Sequence, residues 1–149
     1  MRLYRLAFGN DVTKAFTATG AYGRWNHKNV QALYLSEHPA LAALEILNYW
    51  RQYSDFSNYY LFALELQGAA VDKATIPPTD LTACRDYGTA WLKEGSNLAL
   101  EVLSVASPEA YNYVINPKHS LFLQSSRVFV SPFNHDERVL EMIEQARQR

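Results

Sequence analysis

The sequence predicts an α+β fold in one domain spanning 1–149, with a mixed or mostly antiparallel sheet and flanking helices. Three observations lead there. Strand-like segments outnumber helical ones and do not alternate with them regularly, which argues against a doubly wound parallel sheet. The 149 residues are 48% hydrophobic and include ten Tyr, seven Phe and three Trp, enough apolar surface for one buried core. No repeat, low-complexity tract or linker divides the chain.

The elements follow in order. "RLYRLAF" (Arg2–Phe8) alternates as a first strand does, and "GNDVTKAFTATGAYGRWN" after it is loop-like, its glycines permitting tight turns. "VQALYLS" (Val30–Ser36) predicts a second strand. A helix then opens at Pro39, a residue tolerated in a first helical turn. It runs through "PALAALEILNYWRQY", with Leu41, Leu44, Leu47 and Trp50 as its apolar stripe. Glu45 stands beside that stripe, on a face shared with Leu41 and Asn48.

"NYYLFALEL" (Asn58–Leu66) predicts a third strand, and "KATIPPTDLTA" a proline-marked excursion. "RDYGTAWLKEG" predicts a short helix stopped by Gly95. "NLALEVLSV" (Asn97–Val105) is a fourth strand ending at Ser104, "SPEAYNYVINPKHS" a polar and aromatic loop, and "RVFVSPF" (Arg127–Phe133) the last strand. The tail is a helix with Asp136 near its start and arginines at its end, charges that match the helix dipole.

Composition narrows the function. A formal net charge of −1, with both signs spread along the chain, gives no basic stripe for a nucleic-acid backbone. Cys84 is the sole cysteine, so no intrachain disulfide forms and a reducing compartment fits. No signal-peptide core follows "MRLYRLAFGND", and no apolar run approaches the roughly 18–20 residues that span a bilayer. The expectation is a soluble cytoplasmic protein that binds neither membrane nor nucleic acid.

Common catalytic signatures are missing. There is no glycine-rich phosphate loop and no G-x-S-x-G elbow. His27, His38, His119 and His135 are scattered without metal-ligand spacing, so no metal is expected. A lone cysteine in a helical region is more often inert than nucleophilic. A ribonuclease toxin is a rival reading, with His119 and Lys118 or Arg127 as its acid–base machinery, against which the near-neutral charge counts.

What remains is Arg24, Tyr34, Glu45 and Ser104. Each alone has an ordinary explanation: a guanidinium stacked on Trp25, strand filling, a helix-surface carboxylate, a small residue at a strand end. Their order and spacing say more. "LYR" (Leu3–Arg5), "GRWN" (Gly23–Asn26), "LYLS" (Leu33–Ser36) and "ALAALE" (Ala40–Glu45) come first. "YGTAWLKEG" (Tyr87–Gly95), the strand ending at Ser104, "NYVINP" (Asn112–Pro117) and "DERV" (Asp136–Val139) follow.

With these segments the chain resembles the RES-domain family, toxins of bacterial toxin–antitoxin pairs whose antitoxins carry an Xre-like helix-turn-helix domain. The resemblance implies a fold similar to ADP-ribosyltransferases and activity on NAD, which members either break down or use to modify a protein. By position, the family's arginine, tyrosine, glutamate and serine fall on Arg24, Tyr34, Glu45 and Ser104. Asn116 sits where members usually have an asparagine, and Arg5 matches a frequent family arginine. The chain departs from the pattern at Leu103, where members commonly have a proline.

The resemblance further implies NAD as substrate, a cognate antitoxin and a toxin homodimer. In this reading Glu45 is the catalytic carboxylate, Arg24 grips phosphate, and Tyr34 offers its ring to nicotinamide. Ser104 completes the catalytic set with Arg24, Tyr34 and Glu45 and joins Asn116 and Arg5 in the binding set, while Trp25 and Asn26 brace the Arg24 turn. A non-catalytic binding module that keeps the same fold is the remaining alternative.

Overall fold

The computed structural model describes residues 1–47, 57–68 and 70–149. The continuation of the first long helix past Leu47, with Asn48 and Trp50, lies outside the described residues. The elements are β1 (Arg2–Phe8), α1 (Val12–Ala15), β2 (Leu33–Ser36), α2 (Pro39–Leu47), β3 (Tyr59–Glu65), β4 (Val71–Lys73), α3 (Leu81–Glu94), β5 (Ala99–Leu103), β6 (Tyr111–Ile115), α4 (Ser120–Gln124), β7 (Ser126–Phe133) and α5 (Glu137–Arg147).

The strands form one 7-stranded sheet in the order β4-β5-β6-β2-β1-β3-β7. β4 and β5 pair in parallel and the other neighbours pair antiparallel. This mixed sheet with flanking helices is the expected α+β class. No described helix is long and apolar enough to cross a membrane.

Alternation along the strands sends side chains to both faces of the sheet. Tyr113 and Ile115 of β6 join Leu3, Leu33, Phe62 and Phe16 on one face. Val114 joins Leu100, Val102, Trp25 and α3 on the other. α2 packs through Ala42 against Leu6 and Leu61 in a smaller cluster.

The sequence reading and the structure differ at several elements. "YNYVI", expected as loop, is β6, paired on one side with β5 and on the other with β2. The prolines and polar residues around it carry turn chemistry, but burial of Tyr113, Val114 and Ile115 between two strands overrides it. α1, α4 and β4 are too short for periodicity to reveal. α3 begins ahead of the expected start because Asp80 caps it, accepting a bond from the Ala83 amide. In α2 the buried positions are Leu41 and Ala42, whereas Leu44, expected in the apolar stripe, is 40% exposed.

One feature of the sheet bears on function. β1 pairs with β3 along its whole length but meets β2 at a single rung, Tyr4 with Ser36. Beyond that rung the Arg5 guanidinium bridges the strands, its Nη1 donating to the Tyr34 carbonyl over 3.1 Å. A side chain thus takes a ladder bond that backbone would otherwise make. The sheet is two halves joined at a narrow seam.

Candidate active site

A cavity of about 810 Å³ opens at this seam, within the roughly 300–1,000 Å³ range of small-molecule sites. Its wall includes Arg5 of β1, Arg24 of the loop before β2, Tyr34 of β2, Glu45 of α2 and Asn112 of β6. Four of the expected site residues therefore share one cleft: Arg5, Arg24, Tyr34 and Glu45.

The turn that carries Arg24 is built on Asn26, which is fully buried. The Asn26 amide nitrogen lies 2.9–3.2 Å from the carbonyls of Ala21, His27 and Val30. Its Oδ1 accepts from the Gly23 amide at 3.0 Å and from the Tyr34 hydroxyl. The same hydroxyl accepts from the Trp25 amide at 3.0 Å. Tyr34 is therefore both a cleft wall and the tether of the Arg24 turn.

Glycine is required where these parts meet. A Cβ on Gly23 would stand 2.7 Å from the Tyr34 hydroxyl, and one on Gly88 of α3 only 1.9 Å from the Trp25 carbonyl oxygen. Close packing of α3 under the turn lets Thr89 Oγ1 accept from the His27 amide at 2.9 Å. Arg85 Nε donates to the Gly23 carbonyl at 2.9 Å. Trp25 is buried edge-on to Tyr87, as a brace should be. Arg24 does not stack on it; its Nη1 donates to the Pro78 carbonyl at 2.6 Å, tying down the proline loop.

Glu45 Oε1 accepts two bonds, from Ser104 Oγ at 2.6 Å and from Asn112 Nδ2 at 2.8 Å. Ser104 Oγ in turn accepts from the amides of Ala106 and Ser107 at 3.0 and 3.2 Å. One donor proton and two lone pairs exhaust a hydroxyl, so the structure directs Ser104 at Glu45 rather than at a ligand. The turn after β5 closes on the Ser104 side chain itself and forms with Leu103 in place of the family's proline.

Asn116 departs from the expectation outright. It is buried away from the cleft, its Nδ2 donating to the Leu92 carbonyl and its Oδ1 accepting from the Lys118 amide. It joins the end of β6 to α3. Sequence reasoning missed Asn112 and Ser36, whose hydroxyl donates to Asn112 Oδ1 at 2.7 Å. Ser36 lay in "LYLS" and Asn112 in "NYVINP", but only the pairing of β2 with β6 places them together.

The residues of the rival readings have structural work. His119 caps α4, its Nδ1 accepting from the Leu121 amide. Arg127 lies over the Phe122 ring at 4.1 Å and donates to the Phe122 carbonyl. Cys84 is fully buried, with its thiol donating to the Pro77 carbonyl, and burial pushes its pKa up, away from the thiolate.

Known proteins are similar to this chain in sequence. A protein named Toxin Res from Yersinia enterocolitica serotype O:8 / biotype 1B is 33% identical over 135 residues, covering 82% of this chain and 88% of that protein. A Toxin Res from Pseudomonas putida is 31% identical over 127 residues, covering 78% and 85%. A Prs ADP-ribosylating toxin from a Sphingobium species is 30% identical over 108 residues, covering 65% and 67%. Residues 2–138, from the first strand of the seam to the start of the last helix, match the RES domain model, and the chain belongs to the RES domain family.

Proposed function

We propose that the chain is a toxin enzyme that consumes NAD by cleaving the bond between nicotinamide and ribose. The observation that carries this reading is the shared cleft: two guanidinium groups, a phenol ring and an anchored carboxylate around about 810 Å³. Each suits a different part of one dinucleotide. A planar guanidinium fork matches phosphate oxygens, which is the role of Arg24 with Arg5. The Tyr34 ring faces the nicotinamide.

The chemistry needs few groups. The nicotinamide ring of NAD is cationic, so when its bond to the ribose carbon breaks, the electron pair returns to the ring nitrogen and the leaving group departs neutral. No general acid is required, unlike ordinary glycoside hydrolysis with its carboxyl pair. The difficulty is the positive charge growing on the ribose. Glu45 stabilises that charge, and a preorganised charge aimed at a developing one is usually the largest catalytic contribution. Water or phosphate then attacks the ribose carbon, giving ADP-ribose or its phosphate.

A second reading, ADP-ribosyl transfer to a protein, uses the same cleft with another acceptor; the relative named for ADP-ribosylation favours it. The proposed partners are an Xre-like antitoxin and a second toxin copy. Exposed Tyr22, Leu103 and Val105 at the cleft wall offer apolar surface for an antitoxin that covers the entrance.

The test is incubation of purified protein with NAD labelled in its ADP-ribose half, with and without cell extract. Free labelled ADP-ribose or its phosphate supports breakdown, and a labelled protein band supports transfer. Glu45→Gln retains an oxygen for Ser104 and Asn112 but loses the charge, so turnover falls about 100- to 1,000-fold with the fold intact. Full turnover in that variant removes the role given to Glu45.

A further inference from the structure

We propose that Asn112, oriented by Ser36, is a positioning residue that fixes the Glu45 carboxylate for the reaction. This rests on the NAD-consuming reading and adds to it a device within the sheet. Ser36 and Asn112 face each other as cross-strand partners of β2 and β6. Ser36 is also the β2 residue of the single rung joining β1 to β2. The pair therefore stands at the point where the two halves of the sheet meet, beneath α2.

The bond directions form a chain. The Ser36 hydroxyl donates to Asn112 Oδ1, which turns Nδ2 toward Glu45 Oε1 at 2.8 Å. A flipped amide would set its oxygen against the carboxylate, so Glu45 selects the amide orientation and the Ser36 hydroxyl holds it by donating to Oδ1. Ser104 arrives at the same Oε1 from the end of β5, neighbour of β6 on its other side. Two donors from separate elements on one oxygen hold that oxygen of the carboxylate in place.

This arrangement serves the site more than the fold. Neither Asn112 nor Ser36 belongs to the apolar clusters that hold the sheet together. Asn112 is half-buried and lines the cleft, so water can replace its bonds. A carboxylate released from it still folds into place but samples several orientations, and misplacement by a fraction of an ångström weakens stabilisation of a developing charge.

The experiment compares Asn112→Ala, Asn112→Asp and Ser36→Ala with the wild type by three measurements: the denaturation midpoint, the Glu45 carboxyl carbon resonance by NMR at one fixed pH, and kcat and KM for NAD. Asn112→Ala is expected to keep a near-wild-type midpoint and KM, to lose about 10- to 100-fold in kcat, and to shift the Glu45 resonance. Asn112→Asp shifts it further, because a repelling carboxylate replaces the donor. Ser36→Ala changes both readouts in the same direction by less.

An unshifted Glu45 resonance in Asn112→Ala and Asn112→Asp overturns the proposal, whatever the turnover. A shifted resonance in a wild-type background that consumes no NAD upholds the positioning and rejects the NAD reading. An unshifted resonance with intact NAD consumption does the reverse.

Discussion

The Tyr34 hydroxyl shows how one side chain can serve site and scaffold together. It donates to the buried Asn26 Oδ1 and accepts from the Trp25 amide, so the ring that lines the cleft also holds the turn presenting Arg24. Tyr34→Phe keeps the ring and strands the Trp25 amide without that acceptor. The expected loss is about 1–3 kcal/mol of stability, the usual cost of leaving a buried polar group unsatisfied, measured as a fall in the urea midpoint. A change below about 0.5 kcal/mol, the range of neutral surface substitutions, would show that water replaces the hydroxyl. At this scale the sequence was informative about residue identity and less so about role. Arg24, Tyr34 and Glu45 stand where the resemblance puts the family's arginine, tyrosine and glutamate, and they share the cleft. Asn116 stood in an equally suggestive segment, yet its amide binds the Leu92 carbonyl, far back along the chain, and the nearby Lys118 amide. Ser104 was expected to touch ligand, and its bonds run to Glu45 and its own turn. Which partner a short polar side chain finds depends on neighbours brought from far along the chain, and no local pattern encodes that.

Among the elements, α3 is the one whose packing fixes the Arg24 turn, and Gly88 is the contact that lets it approach. Two effects compete there. Replacing a helical glycine by alanine favours the helix by up to about 1 kcal/mol. The new Cβ, however, would sit 1.9 Å from the Trp25 carbonyl oxygen, a backbone atom that cannot rotate aside. Gly88→Ala is therefore expected to destabilise by roughly 1–3 kcal/mol as the helix is pushed off the turn. Thermal and urea denaturation measure this, and a stabilised variant would mean that α3 withdraws at no cost. The contrast between α3 and β6 explains which elements were legible. Gly95 ends α3 in the left-handed conformation that glycine favours, a signal carried entirely by local sequence. β6 has its alternation and its aromatic residues, but prolines and asparagines flank it, and its strand identity comes from partners on both sides. β1, strongly alternating, was readable end to end, while its near-separation from β2 was not, because a seam is a property of two strands together.

Across the whole molecule, the site occupies the middle of the sheet and the last helix lies apart from it. The buried clusters draw on residues from Leu3 to Phe122, with Phe133 packed at the margin. α5 has no fully buried residue: Val139, Ile143 and Ala146 are half-buried along one stripe, while Leu140 and Met142 are exposed. The family match ends at residue 138, just inside that helix. A chain ended after His135 should therefore keep its core, its seam and its cleft. The expected result is a loss of about 1–3 kcal/mol, the cost of uncovering a half-buried apolar stripe and not a core, with unchanged turnover in the assay of the proposed NAD reaction and a loss of helical circular dichroism matching the missing segment. Denaturation and the NAD assay on the shortened chain decide it. A larger fall in stability would assign that stripe a share of the core packing. A fall in turnover alone, with stability kept, would mean that the helix acts on the cleft from outside the core. Preserved stability and turnover would leave the exposed apolar side chains of α5 as surface that neither the fold nor the chemistry of this chain requires.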